Sequence, residues 1–148
     1  KITPDCPDYQ DLPDENGPWF PFGFGLSYTT FRYGRVKVAS KRAARSVRAF
    51  EATVTVKNTG TRAGKETVIW YLSDPEASYT QPVRRVIAFE KIALKPGESK
   101  TVSFKLKKEQ IMQFGMDGKQ SLAKGEYEFF VGGGQPGFAQ TAELSINR

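Results

Sequence analysis

From about Arg35 onward, apolar and polar residues alternate in short runs separated by turn residues. In VRAFEATVTVKN, Phe50, Ala52, Val54 and Val56 alternate with Glu51, Thr53, Thr55 and Lys57, the period of a strand with one buried face. Asn58-Thr59-Gly60 then supplies turn chemistry. ETVIWYLSDP is apolar on both faces from Val68 to Leu72, as suits a central strand, and Asp74-Pro75 closes it. RVIAFEKIAL predicts a further strand ended by Lys95-Pro96-Gly97. In SKTVSFKLK, Val102, Phe104 and Leu106 alternate with Thr101, Ser103 and Lys105. KKEQIMQF has room for one helical turn, and Asp117-Gly118 reads as a tight turn. GEYEFFVGG places Tyr127, Phe129 and Val131 on one face, and TAELSIN does the same with Ala142, Leu144 and Ile146.

This pattern predicts about seven strands and no amphipathic helix of useful length. Two antiparallel sheets packed face to face solve that burial problem, so the expected fold class is all-β, an immunoglobulin-like or fibronectin type III-like sandwich. No Cys–Trp–Cys framework is present, and Trp70 in the central strand is expected in the core. The length of 148 residues suits one such domain. No apolar run approaches the ~18 residues of a spanning helix, so no membrane partner is expected.

The first residues read differently. KITPDCPDYQDLPDENGPW carries Pro4, Pro7, Pro13 and Pro18 without apolar periodicity, so residues 1–18 are expected to be an extended linker and residues 19–148 the sandwich. The linker is acidic, with Asp5, Asp8, Asp11, Asp14 and Glu15 against Lys1 (−4), whereas Arg32 onward carries +10, which together give the chain's net +6. The three-residue spacing of those aspartates invites a calcium reading, but the interposed prolines break the compact loop such a site needs. No metal or other cofactor is expected.

Composition excludes several chemistries. There is no histidine, which removes Ser-His-Asp and Cys-His catalysis and His-ligated zinc. Cys6 is the only cysteine, so no internal disulfide forms, and it reads as an incidental thiol. Asp74 and Glu76 beside a turn proline are the nearest thing to paired acid/base carboxylates, yet Asp-Pro at a strand end is ordinary turn chemistry. Gly132-Gly133-Gly134 lacks the following Lys-Ser/Thr helix of a phosphate loop and reads as a flexible connection.

Two features remain as candidate surfaces. Lys41, Arg42, Arg45 and Arg48 sit in a basic run that is either a solvated loop or a polyanion contact; no recognition helix or RNA-binding aromatic motif accompanies it, so no nucleic acid partner is expected. PFGFGLSYTTF packs four aromatics and two glycines into eleven uncharged residues. With Trp19 and Phe20 before it, it is either a sugar-stacking platform or buried packing, and its phenylalanines beside glycines favour packing. Phe22, Phe24, Leu26 and Tyr28 are therefore expected to pack on the sandwich or on a neighbouring domain, with Gly23 and Gly25 permitting the bends.

These residues bear a family resemblance. PFGFGLSYTTF, the NTGTRAGKETVIWYLSDP run, SYTQPVRRVIAFEKIALKPGESKTVSFKL and GEYEFFVGG, in that order, resemble the C-terminal fibronectin type III-like domain of glycoside hydrolase family 3, the β-glucosidase and β-xylosidase family. The chain departs from it at Ile69-Trp70-Tyr71, commonly Gln-Leu-Tyr, and at Ala88, commonly glycine. The resemblance implies a non-catalytic accessory domain, reached by a linker from a preceding domain, whose partners are the catalytic domains of its parent enzyme. It also implies that the parent hydrolyses terminal β-linked glycosyl residues and is secreted or periplasmic. The family's catalytic aspartate and glutamate lie on other domains, and no residue of this chain matches their motifs. The alternative expectation is a module that binds cellulose, xylan or lignin through exposed aromatics such as Trp19 or through Lys41, Arg42, Arg45 and Arg48. A free-standing adhesion module is suggested by fold analogy alone.

Overall fold

In the computed structural model, the described residues are 20–42, 48–74, 82–107, 110, 112–114, 118–122, 126–137 and 141–147. For 38–42, 48–50, 113, 120–122, 126 and 141–147 only the backbone is described. Among the described residues the strands are, in order, β1 (Phe31–Tyr33), β2 (Lys37–Arg42), β3 (Arg48–Asn58), β4 (Gly64–Ser73), β5 (Arg85–Leu94), β6 (Ser99–Leu106), β7 (Met112–Phe114), β8 (Gln120–Leu122), β9 (Glu126–Gly132) and β10 (Thr141–Asn147).

All pairings are antiparallel. β3 is the centre of one sheet. β6 lies along one side of it, in register from Phe50↔Leu106 to Lys57↔Ser99. The other side is shared by β1, from Phe31↔Asn58, and β2, from Lys37↔Thr53, so these two form one interrupted edge strand. At the interruption the Gly34 amide still donates to the Thr55 carbonyl at 2.8 Å. The second sheet runs β10-β9-β4-β5. Counting β1 and β2 as one edge, the sandwich has the seven positions the alternation predicts. The β7–β8 hairpin is an addition that the pattern did not show, and it follows a single turn closed by Gln110 N–H on the Lys107 carbonyl at 3.0 Å.

The interior is built from the alternating positions. Val54 and Val56 of β3, Val68, Trp70 and Leu72 of β4, Ile92 and Leu94 of β5, Val102 of β6 and Val131 of β9 are all but inaccessible. Each fully buried aliphatic side chain of this kind contributes about 1.5–3 kcal/mol. Trp70 stacks on Phe104 of the opposite sheet with ring centroids 5.7 Å apart, as its place in a central strand predicts.

One buried polar group ties the open end of the sandwich. Asn58, with no exposed surface, accepts at Oδ1 from Thr29 Oγ1 (2.6 Å) and from the Gly60 amide (3.0 Å). Its Nδ2 donates to the carbonyls of Arg62 (2.8 Å) and Leu94 (3.1 Å). The turn residue of the sequence is thus a fully satisfied junction of four segments. It fixes Thr29, where the chain leaves the PFGFGLSY stretch and enters β1.

Candidate functional site

The outer face of the β10-β9-β4-β5 sheet is not an ordinary solvent face. Ile69 and Tyr71 of β4 and Phe130 of β9 point away from the core, and all three are buried. This is why β4 reads as apolar on both faces. The cover comes from two loops and one side chain: the stretch from residue 20, the Gly133–Gln135 connection and Arg84. Arg84 lays its guanidinium over the Phe130 ring, 4.9 Å from the centroid.

Glycine placement explains how the stretch sits there. Pro21 to Phe24 is a tight turn closed by Phe24 N–H on the Pro21 carbonyl at 2.9 Å, with Gly23 at φ +79°. Gly23 meets the Gly133–Gly134 backbone and the Ile69 side chain. Beside it the Gln135 amide donates to the Phe22 carbonyl (2.9 Å), and the Phe22 amide donates to Gln135 Oε1 (3.3 Å). The triple-glycine connection expected to be flexible is therefore pinned, because only residues without side chains let the two backbones approach so closely.

The side chains of the stretch are the unexpected part. Phe22 touches Tyr71 edge-on at 6.4 Å, and Phe20 leans on Phe24 at 5.1 Å. Even so, Phe22 is 60% and Phe24 55% exposed, and Leu26 and Tyr28 are 93% and 90% exposed. The alternative that these residues pack on their own sandwich is thus wrong for Leu26 and Tyr28 and only partly right for the two phenylalanines. The backbone is anchored at Phe22–Phe24 and again at Thr29, while the apolar side chains of the stretch face outward.

Further apolar side chains adjoin them. Val83, Val86 and Phe89 are exposed too, and the β4–β5 register puts Val86 beside Tyr71 and Phe89 beside Ile69 on the same outer face. Val86 owes its place to a bulge between Trp70 and Tyr71, which leaves Ile87 without a direct partner. Between these groups lies a cavity of about 500 Å³ lined by Phe22, Tyr71, Val83, Arg84, Val86 and Gln135. Sequence reasoning missed Val83, Arg84, Val86, Phe89 and Gln135. Phe89 and Val86, two apolar residues of an edge strand at outward positions, were the available signal.

A flat sugar platform is not what these rings make. Phe20 and Phe24 are inclined at 50°, and Phe22 and Tyr71 at 87°. Of the polymer candidates, Trp19 and Arg45 lie outside the described residues, as do the side chains of Lys41, Arg42 and Arg48; Lys41 and Arg42 pair with Ala49 and Arg48 across β2 and β3. Cys6, the linker aspartates and Glu76 also lie outside them.

Among the described residues the carboxylate whose pKa is raised is Glu66 of β4, which accepts a 2.7 Å hydrogen bond from the Tyr33 hydroxyl. Burial raises its pKa, and the Tyr33 hydrogen bond partly offsets the rise. Burial also pushes the Tyr33 hydroxyl far up, so it stays a donor. Among the described residues no group of three His, Cys, Asp or Glu side chains is placed to hold a metal. Locked to a tyrosine and filling the space beside Gly133, this carboxylate is a packing device.

Comparison with known proteins gives a consistent answer. A family profile described as the fibronectin type III-like domain matches residues 66–135. The chain is 42% identical over 119 residues to the periplasmic β-glucosidase of Salmonella typhimurium, covering 80% of this chain and 15% of that enzyme. It is 43% identical over 103 residues to β-glucosidase BoGH3A of Bacteroides ovatus, covering 70% of this chain and 13% of that one. The crystal structure of a β-glucosidase from Listeria innocua superposes with a TM-score of 0.77 at 33% identity, covering 95% of this chain and 19% of that one. The chain thus spans less than a fifth of these relatives. Their catalytic parts lie in regions that it does not match.

Proposed function

This chain carries the fibronectin type III-like domain found in glycoside hydrolase family 3 β-glucosidases, and on that premise we propose that it docks the catalytic part of such an enzyme against its outer aromatic face. It makes no bond-breaking contribution of its own. Residues 1–18 serve as the linker from a preceding domain, and the parent hydrolyses terminal β-linked glycosyl residues. A location outside the cytoplasm is supported by the periplasmic relative.

One observation carries the reading: Phe22, Phe24, Leu26 and Tyr28 lie on a stretch anchored at Phe22–Phe24 and at Thr29, with their side chains turned to solvent. An apolar patch of that size on a small domain marks a surface that another body covers. The packing partner is then a neighbouring domain, the second of the two alternatives the sequence left open.

The test compares Leu26→Glu and Tyr28→Glu in the 148-residue chain and in the intact enzyme. Thermal unfolding of the chain alone is expected to stay within about 1 °C, because surface changes are close to neutral. In the intact enzyme each charge is buried against an apolar partner and the midpoint falls. Equal behaviour in both settings would refute docking through this face.

A further inference from the structure

We propose that the cavity between Phe22, Tyr71 and Val86 is a socket for a carboxylate side chain, an Asp or Glu, presented by the catalytic part of the same enzyme. This rests on the docking role above and names the chemistry at its centre.

The lining offers donors and no free acceptor partner for them. Arg84 has only donors, and its guanidinium is held in place over Phe130. Among the described residues no carboxylate pairs with it. Tyr71 is 3% exposed, and its hydroxyl is buried without a hydrogen-bond partner. Such a group is rare in a finished structure, because it loses water and gains nothing in return. Gln135 already spends Oε1 on the Phe22 amide, so its side-chain nitrogen is what it has left to offer. The other walls, Phe22, Val83 and Val86, are apolar.

Three donors, one of them charged, in an apolar-walled cavity fit a group that only accepts and that carries negative charge. A backbone carbonyl would answer Tyr71 but leave the guanidinium without a counter-charge. A sugar hydroxyl brings no charge either. Phe22, edge-on to Tyr71 and more than half exposed, is the wall that yields to an entering side chain. The occupant comes from the same enzyme because the described stretch begins on this face, at Phe20 against Phe24, and because the chain spans only 15% and 13% of the β-glucosidases it resembles.

The experiment measures unfolding midpoints of Tyr71→Phe, Arg84→Met and Leu26→Glu in the 148-residue chain and in the intact enzyme. In the chain alone, Tyr71→Phe removes an unpartnered hydroxyl and is expected to leave the midpoint unchanged or raise it, while Arg84→Met stays within about 1 °C. In the intact enzyme both variants are expected to lower the midpoint by about 2–4 °C or more. Tyr71→Phe and Arg84→Met shifting both settings alike, with Leu26→Glu still destabilising only the intact enzyme, would overturn the socket and leave the docking face standing. Leu26→Glu without effect in the intact enzyme would overturn both.

Discussion

Gly23 stands against Gly134 with no room for a side chain between them: a Cβ on Gly23 would lie 2.8 Å from the Gly134 Cα and 3.3 Å from Ile69 Cδ1. This contact fastens the aromatic stretch to the sandwich and sets the height at which Phe22 and Phe24 are presented. Gly23→Ala adds a left-handed φ penalty to a backbone clash. It is expected to destabilise the chain by about 2–4 kcal/mol, read from urea midpoints. Gly25→Ala, where an added Cβ meets nothing within 4 Å, is the control and should change stability by about 0.5 kcal/mol at most.

Asn58 makes the second structural prediction. Asn58→Ala leaves the Gly60 amide and the Arg62 and Leu94 carbonyls without their partner in a buried site. The expected loss is about 3–4 kcal/mol in urea unfolding. Asn58→Asp should cost at least as much, because it sets a carboxylate oxygen against those two carbonyls. Thr30→Ala, which removes the exposed 2.9 Å contact with Thr59, should change stability by about 0.5 kcal/mol or less.

The Tyr33–Glu66 pair predicts a pH effect of unusual sign for a carboxylate. Desolvation raises the Glu66 pKa above its ordinary 4.5, against the smaller opposing effect of the Tyr33 hydrogen bond. The folded state therefore holds the proton more tightly than the unfolded state. Its contribution to stability is complete below 4.5 and is lost as pH rises through the folded value. Glu66→Gln keeps an acceptor for Tyr33 but carries no charge. It is expected to be more stable than the parent sequence at pH 7, with the gap closing as pH falls toward 4.5. A gap that widens on acidification would reverse the assignment.

A fourth prediction concerns chemistry. The purified chain added to an aryl β-glucoside is expected to release no aglycone above buffer, whereas turnover that follows the pure protein would contradict the non-catalytic reading. Glycoside hydrolysis takes a pair of carboxylates, whereas Glu66 is engaged with the Tyr33 hydroxyl.

Much of the fold was legible because burial on one face leaves a period of two. Val54, Val56, Val102, Phe129 and Val131 announce their strands, and Asn58-Thr59-Gly60 announces the turn it makes. The apolar run at Val68–Leu72 was read rightly as a central strand. Its second face, Ile69 and Tyr71, is buried not by another sheet but by the stretch from residue 20 and the glycine connection. The β7–β8 hairpin gave no usable pattern, because three-residue strands hold too few alternations. The site was half legible. Phe22, Phe24, Leu26 and Tyr28 stood out by lack of charge, which signals burial but not by what. Hydrophobicity alone cannot tell packing within a chain from packing between domains. Arg84 and Gln135 were invisible, since their roles come from tertiary contacts, Arg84 with Phe130 of β9 and Gln135 with Phe22.

The central claim is that the outer face, Phe22, Phe24, Leu26 and Tyr28 above all, is covered by the rest of a family 3 enzyme. Footprinting of side chains by carbene or hydroxyl-radical labelling, on the 148-residue chain and on the intact enzyme, tests it most directly. The account predicts strong labelling of all four residues in the chain alone and protection of them in the intact enzyme, with Val83 and Phe89 following. Equal labelling of Leu26 and Tyr28 in both would contradict it.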